Sequence, residues 1–227
     1  VRRNQRRKRP RPQKPGRPSH TYHSYIIAGL RLVLGVDVEA GNQSHSNTTL
    51  PGLLKVIDKL PRDKRPAFVR GDAGFGNNHV IEGLEERGIP YLFKLRMTNN
   101  VKRYVNEITW KDGWSDAGQG WEGIEGNINL TGWYKSRRVI VLRREIRGEI
   151  VLRNDAIDSQ QLTFVEFDQG GHRYEYVTLI TDIEYPILSI AQLYRDRADA
   201  ENCFDELKNQ WGWCGYTTKD LKRSRFS

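Results

Sequence analysis

The amino-acid sequence predicts an α/β fold in which a mixed sheet is flanked by helices. Three observations support this prediction. Residues 22–95 alternate short β-branched runs with amphipathic stretches, which is typical of strands and helices arranged around one sheet. Residues 101–175 are rich in glycine and tryptophan and contain further strand patterns. Residues 189–210 contain no proline or glycine and consist mainly of good helix formers, which predicts one long helix.

The first half of the chain divides into short predicted elements. Two β-branched apolar runs around a small spacer favour a hairpin, and residues 42–47 are polar and turn-like. Apolar residues then recur at helical spacing, and Gly88 ends a second helical stretch. In order, we expect a hairpin over 22–41, a helix over 48–60, a strand over 67–70, a helix over 79–87 and a strand over 89–95.

Asp72 directly follows the strand predicted over 67–70, in the run Gly71-Asp72-Ala73-Gly74. A carboxylate at the end of a strand is positioned by the sheet and exposed by the loop, as a catalytic group requires. The glycines allow a ligand or phosphate to approach the backbone closely. No GK[ST] follows, so this is not a phosphate-binding P-loop. An ordinary Asp-Gly-type turn explains the same residues equally well.

Four polar side chains share one face of the helix predicted over 189–210: Tyr194, Arg197, Glu201 and Lys208. At about 100° per residue they fall within a sector of roughly 60°. Ser189 is the predicted N-cap. Because Ile190 and Phe204 lie in or beside the same sector, we expect this face to be only partly hydrated. A carboxylate flanked by cations at an apolar border suits a metal ion and a phosphate, and the alternative is an ordinary solvated face.

The glycine-rich stretch also holds four of the six tryptophans: Trp110, Trp114, Trp121 and Trp133. Residues 137–146 alternate as a strand does, and residues 176–181 predict a further strand. Core packing is the commoner role for such rings. The alternative is that one exposed ring stacks on an unpaired base, an interaction worth roughly 1–3 kcal/mol. The sequence does not indicate which ring would stack.

The positive charge is concentrated at the start of the chain. Residues 1–18 hold nine arginines and lysines and no acid, while the remaining residues carry 28 of each sign, so the net charge of +9 belongs to this segment. Prolines and repeated like charges prevent a packed core, which predicts a disordered basic tail over 1–20. One interpretation is a nucleic-acid-binding arm, because cations that neutralise phosphates release counterions. The alternatives are a solubilising tail or a segment translated from an altered reading frame.

Several other classes of protein are disfavoured. Cys203 and Cys214 lack the CxxC spacing of a zinc site, and two such thiols favour a reducing compartment. His20 and His23 have no acid or cysteine nearby to complete a metal site. No apolar run approaches the length of a transmembrane helix, and the basic start lacks the apolar core of a secretory signal.

The spacing Tyr194-x2-Arg197-x3-Glu201-x6-Lys208 reproduces the Y-R-E-K signature, so the chain resembles the DDE transposases of bacterial insertion sequences. A second block, residues 70–76, resembles the segment that carries the second catalytic Asp in that group. The resemblance covers about residues 14–222. It implies a ribonuclease H-like core over 21–100 and 176–215, with a β-rich insertion over 101–175 and a basic C-terminal end over 216–227.

The resemblance further implies metal-dependent cleavage and transfer of DNA strands. Asp72 and Glu201 would be the catalytic and metal-binding carboxylates for Mg²⁺ or Mn²⁺, since magnesium prefers oxygen ligands. The expected DNA-binding residues are Tyr194, Arg197, Lys208, Arg2, Arg3, Arg6, Arg7, Lys8 and Arg9. The expected partner is double-stranded DNA at transposon ends, without a membrane and with a homodimer allowed. The expected location is the bacterial cytoplasm, in association with the nucleoid.

The chain departs from the family pattern at the first catalytic Asp. In the family this residue normally lies on a strand just before the two strands predicted over 22–41, and here that position is the basic tail. Asp37 lies on a later strand and Asp63 in a loop, so neither occupies the matching position. We therefore expect a truncated or decayed transposase that is catalytically incomplete as this chain. The alternatives are a non-catalytic DNA-binding protein derived from a transposase, or a remnant open reading frame without a folded function.

Overall fold

The computed structural model describes residues 20–40, 45–146, 164–167, 173–197, 202 and 206. They fall into two compact units. The first unit contains the described residues up to 59 together with 202 and 206, and the second contains the others. Apart from His20, the predicted basic tail lies outside the described residues, as does the predicted C-terminal end over 216–227.

The first unit consists of an antiparallel hairpin followed by a helix. Strand β1 (His20–Ile27) pairs with β2 (Leu32–Ala40), and a single 3-10 turn connects them. Helix α1 (His45–Lys59) follows, and Leu53 and Ile57 on it are buried. The predicted hairpin and helix are confirmed. The helix nevertheless begins within the stretch over 42–47 that we predicted to be a turn.

The second unit is built on a mixed sheet of seven strands. Its strands are β3 (Val69–Gly71), β4 (Tyr91–Lys94), β5 (Ser115–Gly118), β6 (Trp121–Ile128), β7 (Arg137–Glu145), β8 (Phe164–Phe167) and β9 (Arg173–Thr181). The order across the sheet is β3-β4-β9-β7-β6-β5, and β8 also pairs with β9. Only β3 and β4 run parallel among these described strands, and the other pairs are antiparallel. The strands predicted before Asp72, before residue 96 and over 176–181 are therefore confirmed.

The described strands form two sheets, so the prediction of one sheet around residues 22–95 is wrong. Within the described part of the chain, β1 and β2 pair only with each other, whereas β3 and β4 join strands drawn from residues 115–181. An alternating pattern identifies strands but does not specify which edges pair. The strands of residues 101–175 share this sheet with β3 and β4. The boundaries of the expected insertion, residues 101 and 175, stay a prediction.

Helices cover both faces of the large sheet: α2 (Asn78–Glu85), α3 (Asn99–Thr109) and α4 (Ile187–Arg195). A Cβ added at Gly126 of β6 would meet Tyr104 and Ile108 of α3, and one added at Gly123 would meet Ile187 of α4. These glycines are an odd number of residues apart, so they face opposite sides of the strand. Helices α3 and α4 therefore flank the sheet from opposite faces, and the mixed α/β class is confirmed and consistent with a ribonuclease H-like fold.

Helix α3 lies in the stretch that we predicted to be rich in strands. Thr98 caps it by accepting a hydrogen bond from the Val101 amide through its side-chain hydroxyl. Val101, Val105 and Ile108 are buried, and their spacing of four and three residues is that of a helix face. The prediction of strands rested on the glycines and on the alternating pattern at 137–146, all of which come after this helix in the chain.

Helix α4 is placed differently from the helix predicted over 189–210. It begins at Ile187 directly after Pro186, not at Ser189, and it ends at Arg195, with Asp196 in the C-cap position. Proline suits this position because it has no backbone N–H to leave unpaired at a helix start. Residues 202 and 206 are helical, and the rest of the predicted helix lies outside the described residues. Among the helices that the structure describes, none is long and apolar enough to cross a bilayer.

The face of the sheet beneath α4 has its own buried core. We call it the α4-side core, and it consists of Leu92, Ala117, Ile140, Leu142, Leu179, Ile190 and Ala191. Tyr194 is partly buried against it. This packing fixes α4 on the sheet and orients the residues that follow it.

Candidate functional site

Asp72 is the first residue after β3, and its side chain is exposed. Its Oδ1 accepts a hydrogen bond from the Gly74 amide at 2.9 Å, and its backbone carbonyl accepts one from the Phe75 amide at 3.1 Å. The carboxylate therefore belongs to a turn and is presented to solvent at the same time. This geometry therefore fits both interpretations of Asp72 from the sequence, the catalytic carboxylate and the ordinary turn.

The loop after Asp72 is held by close packing. A Cβ added at Gly71 would lie 3.0 Å from the Phe75 ring, which also stacks on Phe93 with ring centroids 6.3 Å apart. At Gly76 an added Cβ would overlap the backbone carbonyl of Lys94. The Asn77 side chain then caps α2 by accepting from the Val80 amide at 3.2 Å. These contacts leave the loop little freedom to shift, so the position of Asp72 is well defined.

Lys94 lies beside Asp72 at the same edge of the sheet. Gly71 is in register with Phe93 on the parallel strand β4, so continuing the register by one residue places Asp72 next to Lys94. Neighbouring strands lie about 4.8 Å apart. Strands β3 and β4 both end here, which is where ligands bind in open α/β sheets.

The half-buried Lys94 is surrounded by charges of both signs. Burial lowers the pKa of Lys94, and the positive charge of Arg197 lowers it further, while the carboxylates of Asp72 and Glu175 act in the opposite direction. All three charged groups are therefore close enough to act on Lys94. We call Asp72, Lys94, Glu175 and Arg197 the charged cluster.

Arg70 connects β3 to the end of α4. Its guanidinium donates hydrogen bonds to the carbonyl of Leu193 at 2.6 Å and to that of Asp196 at 2.9 Å. The last carbonyls of a helix have no partner within the helix and carry partial negative charge, so a cation stabilises them. Arg70 and Asp72 are two residues apart and lie on the same side of the sheet. The end of α4 is therefore held on the face that presents Asp72 and Lys94.

Two of the four signature residues lie at this helix end. The guanidinium carbon of Arg197 is 5.6 Å from the ring centroid of Tyr194, and the Arg197 amide donates to the Tyr194 carbonyl at 3.1 Å. Each of them directly follows one of the two residues, Leu193 and Asp196, whose carbonyls Arg70 binds. Glu201 and Lys208 lie outside the described residues, and so do the tail residues predicted to bind DNA.

The two acids that we compared with the first catalytic Asp each have surroundings of their own. In the first unit, Asp37 accepts a hydrogen bond from the Tyr25 hydroxyl at 2.8 Å, and burial together with this contact raises the pKa of Tyr25. A Cβ added at Gly52 of α1 would overlap the Asp37 carboxylate, so this group is enclosed on that side as well. Asp63 lies in a 3-10 turn with its side chain 73% exposed.

Asp72 has the donor chemistry that a hard divalent cation requires. It supplies an exposed carboxylate oxygen on a rigid loop. Within the described residues, no cluster of three or more histidine, cysteine or acidic side chains is arranged to hold a metal ion. Asp72 therefore fits as one ligand of such a cation.

Sequence reasoning missed three members of this site: Arg70, Lys94 and Glu175. The signal for Lys94 was present, because two strands joined by a helix are usually parallel neighbours and end at the same edge. Glu175 lies on β9 four residues before Leu179, the partner of Lys94, and accepts a hydrogen bond from Arg144 at 2.6 Å; no local pattern indicates this pairing.

A family model described as "Transposase DDE domain" matches residues 2–223 of the chain. A search of curated proteins finds no match. A search of solved structures also finds none. The family match spans both units and includes Asp72 and the signature residues. The chain therefore belongs to the transposase DDE domain family, and this membership implies transposase function, a DNA substrate and, in general terms, the use of a divalent metal.

Proposed function

We propose that this chain is the DNA-processing domain of a DDE transposase of the Y-R-E-K group, which binds transposon-end DNA and takes part in strand cleavage and transfer. One observation carries the proposal. Asp72 is presented at the end of β3 within the charged cluster, on the face where Arg70 holds the end of α4. A carboxylate between cations at the edge of a sheet suits a phosphodiester and a metal ion together.

In this proposal the two carboxylates Asp72 and Glu201 hold the metal, which is Mg²⁺ or Mn²⁺ because the ligands are oxygens. The chemistry that a pair of such ions supplies is activation of the attacking oxygen and stabilisation of the leaving oxygen. Asp72 contributes a ligand whose position is set by the turn to Gly74 and by the packing at Gly76. The protein therefore fixes the positions of the metal ligands before DNA binds.

The cations of the site bind and orient the scissile phosphate. Arg197 can engage a phosphate with two parallel hydrogen bonds, and Lys94 and Lys208 act as point charges. Lys94 is half-buried, so its attraction for a phosphate is less screened by solvent than that of a surface lysine. Tyr194 can donate a hydrogen bond from its hydroxyl to a phosphate or to the terminal nucleotide. The tail residues within 1–18 add sequence-independent contacts to the duplex.

In this proposal the residues of this chain supply too few carboxylates to hold two metal ions. Residues 1–36 contain no acid, and Asp37 is engaged by Tyr25 and enclosed by Gly52. Two-metal phosphoryl transfer needs a bridging carboxylate and at least one further ligand for each ion. A displacement of about 1 Å can already cost on the order of a hundredfold in rate. We therefore expect the chain by itself not to nick or join DNA.

A metal-binding measurement tests the site directly. Mn²⁺ titration followed by electron paramagnetic resonance, with duplex DNA present, should show binding that is weakened in Asp72→Asn and in Glu201→Gln. Asp63→Asn is the matched control, because Asp63 is an exposed acid on a nearby turn. Equal binding by all four proteins would contradict the assignment of Asp72 and Glu201.

A nicking assay on supercoiled DNA with Mg²⁺ or Mn²⁺ tests the expected inactivity. The chain should leave the plasmid intact, and supplying an Asp-bearing strand ahead of residue 20 should restore nicking. Nicking by the chain itself that disappears in Glu201→Ala would show that another carboxylate completes the site. In that case the count of ligands given above is wrong.

The second candidate function is a non-catalytic DNA-binding protein derived from a transposase. The observation that favours it is the group of nine arginines and lysines within residues 1–18, which can bind phosphates without a metal. It differs from the first in one measurable property, since it would not bind a divalent metal at Asp72 and Glu201. A homodimer acting on nucleoid DNA in the bacterial cytoplasm is compatible with both candidates.

A further inference from the structure

The backbone of Lys94 is fixed beside the loop that carries Asp72. Lys94 ends β4, and the next amide, that of Leu95, donates a hydrogen bond to the Thr178 carbonyl of β9 at 2.8 Å. An added Cβ at Gly76 would overlap the Lys94 carbonyl, so the loop after Asp72 packs directly on this residue. Strand β4 and the loop therefore hold each other in place.

Lys94 and Asp72 lie on the same face of the sheet, at the border of the α4-side core. Arg70 is in register with Leu92, and Asp72 and Lys94 each come two residues later in the chain. Side chains two residues apart along a strand lie on the same face, and Leu92 belongs to the α4-side core. Lys94 is half-buried at this border. Solvent therefore screens the interaction of its charge with Asp72 only in part.

The two carboxylates near Lys94 differ in what balances their charge. The Glu175 side chain is 15% exposed and accepts a hydrogen bond from Arg144 at 2.6 Å, so an arginine already compensates it. Asp72 is exposed, and its Oδ1 accepts from the Gly74 amide, which is a neutral donor. Both carboxylates attract the positive charge of Lys94, and Asp72 does so more strongly. The charge of Lys94 is therefore balanced mainly by Asp72.

A lysine in this position opposes the binding of a divalent cation at Asp72. Like charges repel, and a doubly charged ion is repelled twice as strongly as a singly charged one. At a separation of about 6 Å, one unit charge weakens the binding of such an ion about tenfold even at the dielectric constant of water. A phosphate has the opposite effect, because it attracts the lysine and the metal ion together. Metal binding at Asp72 should therefore be weak in the free chain and tighter when a phosphate is present.

We propose that Lys94 couples metal binding at Asp72 to DNA binding, because its ammonium opposes the divalent ion in the free chain and pairs with a phosphate in the DNA complex. This inference rests on the proposed function, which assigns the metal to Asp72. Such coupling is reciprocal, so the metal strengthens DNA binding by the same factor by which DNA strengthens metal binding. The free chain then carries little metal at Asp72, and the site is loaded on DNA.

Mn²⁺ titration followed by electron paramagnetic resonance, at low ionic strength with and without a duplex oligonucleotide, tests the inference. Without DNA, Lys94→Met should bind Mn²⁺ about tenfold more tightly than the natural chain, because the repulsion is removed. DNA should then strengthen Mn²⁺ binding about tenfold less in this variant than in the natural chain. Lys94→Gln also removes the charge and should behave as Lys94→Met does, whereas Lys94→Arg keeps the charge and should resemble the natural chain.

Two controls identify the part of the signal that belongs to the site. Asp72→Asn shows how much Mn²⁺ is held by the DNA or by other residues, and in this background Lys94→Met should have no further effect. Lys64→Met removes one charge from an exposed lysine, since the Lys64 side chain lies on a 3-10 turn and is 72% exposed. Neutral variants of Lys94 that bind Mn²⁺ no more tightly than the natural chain, or an equal gain in Lys64→Met, would overturn the inference.

The inference and the proposed function fail in different ways. Equal Mn²⁺ binding by the natural chain and by Asp72→Asn would overturn the assignment of the metal to Asp72, and the proposed function with it. Weaker binding in Asp72→Asn together with unchanged binding in both neutral variants of Lys94 would overturn the inference alone.

Discussion

Replacing Glu85 with glutamine should reduce the stability of the second unit by about 3 kcal/mol at neutral pH. Glu85 ends α2 and receives both arms of the Arg137 guanidinium, at 2.9 and 3.0 Å. The hydroxyls of Tyr91 and Tyr134 also donate to it at 3.0 Å each, and Lys135 lies 3.2 Å away. The Arg137 side chain is only 2% exposed and that of Glu85 11%, so solvent screens this pair weakly.

The magnitude follows from the pKa of Glu85. Burial alone raises this pKa, but the hydrogen bonds from Arg137, Tyr134 and Lys135 outweigh burial and lower it from 4.5 to about 2. Each unit of difference in pKa corresponds to about 1.36 kcal/mol. The ionised carboxylate therefore contributes roughly 3 kcal/mol to the free energy of unfolding. Because the pKa is lower in the folded state, this stabilisation is complete above pH 4.5 and is lost as the pH falls towards 2.

Thermal unfolding followed by near-ultraviolet circular dichroism from pH 7 to pH 2 measures both effects. The melting temperature of Glu85→Gln should fall by about 6–12 °C at neutral pH, given about 2–4 °C per kcal/mol for a chain of this size. Its stability should also depend less on pH below 4.5. Glu86→Gln is the matched control, since the Glu86 side chain is 76% exposed and its pair with Arg87 is long at 3.9 Å. Equal stability of the two variants, or parallel pH curves, would refute the reasoning.

Three further predictions concern the site and the tail. Gly76→Ala should destabilise the chain by about 1–3 kcal/mol, since the new methyl group meets the Lys94 carbonyl; thermal unfolding measures this against Gly29→Ala, whose Cβ meets nothing, and equal stability would contradict the packing. Arg70→Met removes both hydrogen bonds to the end of α4, so amide hydrogen exchange over residues 193–197 should speed up by about 10- to 100-fold. Exchange as slow as in the natural chain would rule out this role. Deleting residues 1–18 should weaken duplex binding and reduce its salt slope by about 0.9 for each lost phosphate contact; an unchanged slope would exclude a DNA-binding arm.

Local signals in the sequence were enough to predict the elements that frame Asp72. Gly88 follows α2 with a φ of +62°, a conformation that glycine adopts without strain, so it ends the helix as expected. The strand before Asp72 is short and bounded by clear turn residues. These features depend on neighbours in the chain, which is why they could be predicted without knowledge of the fold.

The parts that were missed depend on pairing and burial across long distances. Helix α3 was missed because the glycines and the alternating strand pattern that follow it determined the prediction for the whole stretch, although Val101, Val105 and Ile108 recur at helical spacing. Lys94 joins the site through the register of β3 and β4, and Glu175 joins it through β9. Trp110 is 60% exposed; this exposure results from the packing of the rest of α3, and no property of the residue itself indicates it. The metal-binding role of Asp72 and Glu201 and the roles of the signature residues stay predictions.

The central place of β9 affects how the second unit assembles. Strand β9 joins β4 on one side to β7 on the other, and without it the β3–β4 pair and the β5–β7 strands have no shared neighbour among the described strands. During synthesis both open edges are made before residue 173 leaves the ribosome, so they are available for pairing with other chains. Folding that awaits such a distant strand is slow compared with the closing of local hairpins. Helix α4 follows β9 in the chain, so the surface around Tyr194 and Arg197 can form only after the sheet has closed, and a nascent chain is unable to engage DNA there before that moment.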